Sequence, residues 1–261
     1  MNILFTVCGR AGSKGVKNKN IRDFIGYPLV YYTLSAIDLF IKSNKERYEN
    51  IDVALNTDST ELVQLIENTN INYHYIPRKE ELATDSSSKL EVIKDTLRSC
   101  ENKSGVQYDY VIDLDLTSPL RTVNDIEKLI YKIVSQPDIE LVFSVTNARR
   151  NPYFNMVMEQ GKEVKKVIDS SYTARQQAPT VYDMNASMYI YKNEFLSKKS
   201  DKTLFDANID IIKMLDTGVL DIDNEEDLEL MQVIASYFYN KYSEYKRIRD
   251  HIRYLSQREE G

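Results

Sequence analysis

The 261-residue sequence predicts an α/β fold, a mostly parallel sheet covered by helices on both faces. Three observations predict it. Short apolar runs rich in Ile, Val, Leu and aromatics alternate with stretches of helical spacing. This β-α order holds from the first residues to about 146. Polar, glycine-rich or acidic segments follow the apolar runs, at the edge where open α/β sheets collect their ligands.

Residues 3–7 read as the first buried strand and 29–42 as the first helix. A strand at 51–56 and a helix at 60–67 come next, and 72–76 is a weaker strand. The helix at 88–99 sets Leu90, Ile93, Lys94 and Leu97 on one face, with the Lys94 stem lying along it. A strand at 108–114 precedes a helix at 123–135, for which Thr122 or Asn124 is the cap. After a strand at 141–145 the pattern fails. Residues 147–183 are polar and aromatic, with Pro152, Gly161 and Pro179, and read as an excursion from the sheet such as a lid or dimer arm. Residues 188–191 return as a strand, 225–239 form a helix, and 242–258 continue a charged helical pattern. The organisation expected is one α/β domain over 1–146 and 184–235, an insertion over 147–183, and a helical extension over 236–261.

Composition narrows the partners. With 42% hydrophobic and 28% charged residues the chain is an ordinary globular one. Its net charge of −6 argues against general nucleic-acid binding, yet leaves room for a local basic pocket. Cys8 and Cys100 make no disulfide framework. No run approaches the roughly 20 apolar residues of a membrane helix, and the short apolar start lacks a signal peptide's basic head, so a cytoplasmic location is expected.

The loop at 8–22 holds three glycines and five cations and no acid. Glycine lets backbone N–H groups approach an anion, and Lys and Arg supply charge, so the loop describes a phosphate site within an acidic chain. It is not a Walker A loop, since Lys14 stands where the second glycine belongs, and no Rossmann G-x-G-x-x-G is present. Two acidic pairs follow apolar runs: Asp113 with Asp115, and Asp221 with Asp223. In extended chain each pair points to one side, a pattern suited to a divalent metal. Asp223 also suits the cap of the following helix. Cys8 reads as a small buried residue, and His74 and His251 sit outside every motif.

The string at 10–20, R-x-G-S-K-G-x-x-x-K-N, resembles the signature of the acylneuraminate cytidylyltransferases, the CMP-sialic acid synthetase family. Residues 77–85 are similar to that family's R-P-x-E-L-A-x-D with Arg and Pro reversed; 113–121 match its Q-P-T-S-P-L-R with Asp115 for Gln; 221–228 match its D-I-D-x-x-x-D-L. Residues 182–190 correspond to R-P-N-G-A-I-Y-I, with Asp183 at the Arg. The strings at 113–115, 149–155 and 182–187 look more like the legionaminic acid branch, and the resemblance covers roughly 1–230.

The resemblance implies a Rossmann-like sheet of the nucleotide-diphospho-sugar transferase type with a dimerisation insertion. It implies transfer of CMP from CTP to the anomeric hydroxyl of a nine-carbon 2-keto sugar acid of the legionaminic type, with release of pyrophosphate, for bacterial surface glycans. Arg10, Ser13, Lys14 and Lys19 would serve the phosphates, Asn20 the base, and Arg78, Ser87 and Asp115 the rest of the nucleotide. Asp221 and Asp223 would bind Mg²⁺. Thr117, Ser118, Arg121, Arg175, Gln176, Tyr182 and Asn185 would meet the acceptor, with Arg175 on its carboxylate. Arg10, Lys14, Lys19, Asp221 and Asp223 would carry the catalysis, and the general base is left open between Asp115 and a hydroxide on the metal. A homodimer is implied, with Arg149, Arg150 or Arg175 acting across it. The alternatives are N-acetylneuraminate, pseudaminate or Kdo as acceptor, or a glycosyltransferase that uses Asp113 and Asp115 as its metal-binding D-x-D.

Overall fold

The structure, a computed structural model, describes residues 1–12, 15–84, 87–198, 203–215 and 222–255. Strand β1 (Asn2–Gly9) explains the two-faced sheet. Its side chains alternate: Ile3, Phe5 and Val7 join one core and Leu4 the other, so the strand is buried on both sides. It pairs in parallel with β4 (Asn50–Thr57), which comes after a small hairpin of β2 (Asp23–Phe24) and β3 (Tyr27–Pro28), and with β6 (Tyr110–Leu114). Beyond β4 lies the parallel β5 (His74–Pro77). On the other side, β10 (Tyr182–Lys192) runs antiparallel between β6 and β7 (Leu141–Asn147), and β11 (Ile209–Lys213) closes the edge parallel to β7. The order β11-β7-β10-β6-β1-β4-β5 is the expected mostly parallel sheet with one antiparallel strand.

Helices α1 (Val30–Asn44), α2 (Thr60–Glu67), α4 (Val123–Val134), α6 (Glu225–Lys241) and α7 (Ser243–Leu255) bury their apolar residues in the larger core. Helices α3 (Lys89–Ser104) and α5 (Asn193–Ser197) cover the opposite face. Thr122, not Asn124, caps α4, in a reciprocal box with Asp125. Gly105, at φ 72°, ends α3 in the left-handed region.

The structure differs from expectation in several places. The strand β11 was not read from the sequence. The excursion carries a hairpin, β8 (Val157–Gln160) and β9 (Glu163–Lys166), turned at Gly161 with φ 67°. And position 236 lies inside α6, so no boundary falls there. Tyr239 of α6 stacks on Tyr32 at 5.7 Å. Ile248, Ile252 and Leu255 of α7 enter the main core. Ser35 Oγ donates to the Ile248 carbonyl at 2.6 Å, and His251 Nε2 lies 2.6 Å from Asp38. Residues 236–255 are thus built into the domain. Among the described residues no helix is long and apolar enough to cross a membrane.

Strand β10 is broken where it matters. Its pairing to β7 runs through Met184↔Val145, then resumes at Tyr189↔Phe143. Between them Ala186 sits at φ 48°, unusual for a residue with a Cβ. This bulge pushes Asn185 and Ser187 toward the ends of β7 and β6, where Ser187 O accepts the Asp115 N–H at 3.0 Å.

Candidate functional site

A cleft of about 420 Å³ opens at the C-terminal edge of β1 and β6. The loop after β1 forms one wall, the segment after β5 with the start of α3 forms the other, and the turn after β6 forms the floor. Arg10, Lys19, Asn20, Arg78, Ser87, Asp115, Thr117 and Asp223 all line it.

The loop wall is clamped to the chain some 200 residues on. A Cβ at Gly15 would lie 1.9 Å from the Asp223 carbonyl oxygen, so only glycine lets the two backbones meet. Lys19 Nζ donates to the Ile222 carbonyl, and Arg22 grips Glu225 with two bonds of 2.8 Å. Ala11 N–H donates to Asp58 at 2.7 Å. At Gly9 a Cβ would meet Leu62 at 2.7 Å and Leu116 at 2.8 Å, so the strand end lies flush against the cleft base. Asn224, not Asp223, caps α6, and Asp227 takes the Asp223 N–H at 3.0 Å. The exposed Asp223 carboxylate has no hydrogen-bond partner among the described residues, and it lines the cleft. Ser13, Lys14 and Asp221 lie outside the described residues.

On the second wall Arg78 is held by Asn56, with Nε to Oδ1 at 2.8 Å and Nη2 to the carbonyl at 3.0 Å. Asn56 is itself fixed by Thr96 at 2.9 Å. Ser87 Oγ donates to the Glu81 carbonyl at 3.0 Å.

The floor holds a residue that the sequence reading missed. Lys89, first in α3, reaches Asp113 at 2.7 Å and Asp115 at 2.9 Å. Asp113, with 1% of its side chain exposed, also accepts from Thr6 Oγ1 at 2.9 Å. Asp115 accepts from Thr117 N–H at 2.8 Å and Thr117 Oγ1 at 2.6 Å. Burial pushes the Asp115 carboxyl up, but Lys89 and Thr117 outweigh it and hold it well below the usual carboxylate range. Each of the four oxygens thus meets a hydrogen-bond donor or the Lys89 ammonium. The available signal was electrostatic: a D-x-D entering a buried strand end needs a cation nearby, and Lys89 opens the helix that faces it.

Arg121 lies beneath the cleft, not in it. It is 0% exposed. Its guanidinium donates to Thr33 Oγ1 at 2.8 Å and to the Asp115 and Ser187 carbonyls, while Nε has no partner among the described residues. Burial pushes its pKa down to about 10. It is a strut for the 115–121 turn, and direct contact with substrate, as expected from the motif, does not fit a side chain so enclosed. Ser118 Oγ donates to Ser187 Oγ at 2.7 Å, tying the same turn to the β10 bulge.

The other acceptor-side residues do not line this cleft within the chain. Asn185 is buried in the bulge, accepting from Ser144 Oγ at 2.6 Å. Tyr182 lies under Lys213, whose Nζ is 4.6 Å from the ring centre. Arg175 donates to the Ala148 carbonyl from a 3₁₀ turn, beside the exposed Gln176. Cys8 lines the cleft, but burial, then Asp113, push its thiol up to about 12, so it is no nucleophile. A second cavity of about 560 Å³ adjoins across Lys89, walled by Leu90, Tyr189, Tyr191, Leu204 and Phe205.

Comparison with known proteins bears on this geometry. A family model described as Cytidylyltransferase matches residues 4–248. The post-translational flagellin modification protein B of Campylobacter coli is 34% identical over 235 residues, 89% of this chain and 94% of that protein. The CMP-N,N'-diacetyllegionaminic acid synthase of Campylobacter jejuni is 35% identical over 234 residues, 90% of this chain and 95% of that protein. The solved structure of a CMP:2-keto-3-deoxy-manno-octonic acid synthetase complexed with CTP shares the fold, with a TM-score of 0.64 at 15% identity, over 91% of this chain and 99% of that one.

Proposed function

The chain belongs to the cytidylyltransferase family, and from that premise we propose that it joins CTP to a nine-carbon 2-keto sugar acid of the legionaminic type and releases pyrophosphate. One observation carries the assignment of the site: the cationic glycine loop is clamped to the segment that bears Asp223, so phosphate donors and an exposed carboxylate face one cleft. The identity to a CMP-N,N'-diacetyllegionaminic acid synthase supports the choice of acceptor.

The donor set suits Mg²⁺. The exposed Asp223 carboxylate on the cleft offers hard oxygen, which suits an ion that uses one or two carboxylates and leaves the remaining positions to phosphate and water. Asp223, with Asp221 beside it in sequence, would hold the ion, which supplies charge neutralisation at the phosphates.

The residues of the chain do the rest by position and charge. Arg10 and Lys19, joined by Lys14 of the same loop, bind the triphosphate and stabilise the departing pyrophosphate. Asn20, Arg78 and Ser87 hold the nucleoside, Arg78 with its guanidinium aimed by Asn56. The anomeric hydroxyl attacks the α-phosphorus in line, the bond from that phosphorus to the oxygen bridging to the β-phosphate breaks, pyrophosphate leaves with that oxygen, and the hydroxyl proton is released. Thr117 presents the acceptor side of the floor, and the aromatic cavity beyond Lys89 offers an apolar wall for acyl or deoxy groups.

We assign the excursion over 147–183 to a homodimer arm. Its hairpin exposes Val157 at 64% and Val164 at 65%, with Met156, Met158, Val167 and Ile168 also exposed. Arg175, Gln176, Tyr182 and the exposed Arg149 and Arg150 would then serve the neighbouring site, which accounts for their distance from the cleft of their own chain. The glycosyltransferase alternative asks Asp113 and Asp115 to hold the metal, and their oxygens are already held by Lys89, Thr6 and Thr117.

The test is pyrophosphate release with CTP and Mg²⁺, offering legionaminic, N-acetylneuraminic, pseudaminic and Kdo acids in parallel. Release with the legionaminic acid far above the others is the expected result. Release with none of them, while CTP binds, would overturn the acceptor assignment.

A further inference from the structure

We propose that Lys89 is a positioning residue of the nucleotide site, whose ammonium offsets one of the two charges of the Asp113–Asp115 pair beneath the triphosphate and holds the Asp115–Thr117 turn in place. The proposal rests on the reading of the cleft as a CTP site.

The geometry is that of a bridge. One nitrogen spans both carboxylates, at 2.7 and 2.9 Å. Asp113 is enclosed under β1, and Thr6 is its other hydrogen-bond donor. Without a counter-charge, two carboxylates this close would repel each other and any polyanion above them. The floor of a triphosphate site is a poor place for such a pair unless a cation is fixed to it. Burial works against the ammonium, but Asp113 and Asp115 overcome it and hold the lysine protonated far above the neutral range.

Two further observations point to function rather than ordinary surface pairing. Lys89 is the first residue of a 16-residue helix, whose N-terminal end disfavours a cation. The neighbouring Ser88 makes no side-chain cap bond, so local helix chemistry does not explain what stands there. The local rule is broken where the carboxylates need the charge. Lys89 also lines both cavities, the one of about 420 Å³ and the one of about 560 Å³, with 39% of its side chain exposed. An ammonium has three N–H donors, and the carboxylates take two. Nζ also lies 5.7 Å from the centre of the Tyr189 ring, at the boundary between the cavities.

The chain of effects is then specific. Asp115 Oδ2 meets Lys89 while Oδ1 fixes the backbone and side chain of Thr117. Removing the lysine leaves the buried Arg121 as the counter-charge to both carboxylates and releases one end of the carboxylate that shapes the turn.

The experiment is CTP binding by calorimetry in Mg²⁺, with no acceptor, on the full chain. Lys89→Met, which keeps the stem, is expected to weaken CTP binding at least tenfold. Adding Asp115→Asn to it is expected to recover most of that loss, because one repelling charge is gone while the amide oxygen still accepts both Thr117 donors. A general packing defect would not be mended by a second substitution. Lys89→Met binding CTP as tightly as the wild type would overturn the proposal, and so would a double variant that binds more weakly than the single one. If Lys89→Met does not fold, Asp115→Asn alone decides: tighter CTP binding supports the proposal, and tenfold weaker binding overturns it. A wild-type chain that binds no CTP removes the nucleotide reading itself; a wild type that binds CTP equally with Lys89→Met removes only the role of Lys89.

Discussion

The chain carries two D-x-D pairs, and one aspartate of each, Asp115 and Asp223, lines the same cleft in opposite surroundings. Asp113 and Asp115 are tied down by Lys89, Thr6 and Thr117. Asp223, from the second pair, is exposed, and its carboxylate meets no donor among the described residues. The same three-letter pattern thus yields a neutralised structural floor in one place and an exposed carboxylate facing the cleft in the other. What decides between them is the counter-charge that the fold delivers, which lies far away in sequence: Lys89 is 24 and 26 residues before its partners.

The contrast can be broken most severely at Asp223. Asp223→Ala is expected to lower kcat by roughly 10²–10³-fold, the scale of losing one group that stabilises developing charge. The thermal midpoint should stay near that of the wild type. Steady-state pyrophosphate release at saturating Mg²⁺ checks the first part and calorimetric melting the second. Gly15→Ala attacks the backing of the same carboxylate, because the new Cβ would lie 1.9 Å from the Asp223 carbonyl oxygen. A shift of about an ångström there should cost on the order of 10²-fold in kcat/KM for CTP. An activity close to wild type would mean that the loop and the 222–225 segment are not a functional unit.

On the neutralised side the damage should appear as stability. Asp113→Ala leaves Lys89 and Thr6 without their buried partner and should cost about 3 kcal/mol in urea unfolding, the lower end of the range for breaking a buried pair, because Lys89 is partly solvated. Asp115 predicts a pH slope. Its carboxyl is held below the usual range, so the folded chain binds fewer protons than the unfolded chain as pH falls through the ordinary Asp value of about 3.9. Stability from this group is fully present above that value and is lost as pH drops toward the folded-state value. Asp115→Asn should therefore lose less stability than wild type between about pH 5 and about pH 3. Equal losses in paired urea melts would contradict the anchoring of Asp115. The smallest effect is expected at Ala186, whose φ of 48° shapes the bulge behind Asp115. Ala186→Gly should gain up to about 1 kcal/mol, strain relief less the added freedom of the unfolded chain.

Most of the fold was legible because its strands are buried on both faces and its helices carry a clear apolar stripe. The first strand and helix 60–67 need little more than their own residues. Strand β11 escaped because Ile209–Lys213 is a short edge strand broken by Asp210. The hairpin β8–β9 escaped because its residues are mostly exposed, leaving no alternation of burial to follow. In the site, Arg10 and Lys19 stand out by charge in a glycine loop, whereas Asn20 is marked only by the family resemblance. Lys89 could not be read from either, because its meaning depends on a contact with residues on another element. Arg121 shows the converse: its motif is plain in the sequence, but only the packing around Thr33 and Ser187 reveals that it supports the turn from below.

The clamp between Gly15 and Asp223 also sets an order of events during synthesis. The central strand and its cationic loop leave the ribosome first, but the carbonyls of Ile222 and Asp223 that brace the loop come out more than 200 residues later. A nascent chain can therefore pair β1 with β4 and β6 long before it can hold a nucleotide. Competence arrives late, once the start of α6 has emerged and Arg22 has found Glu225.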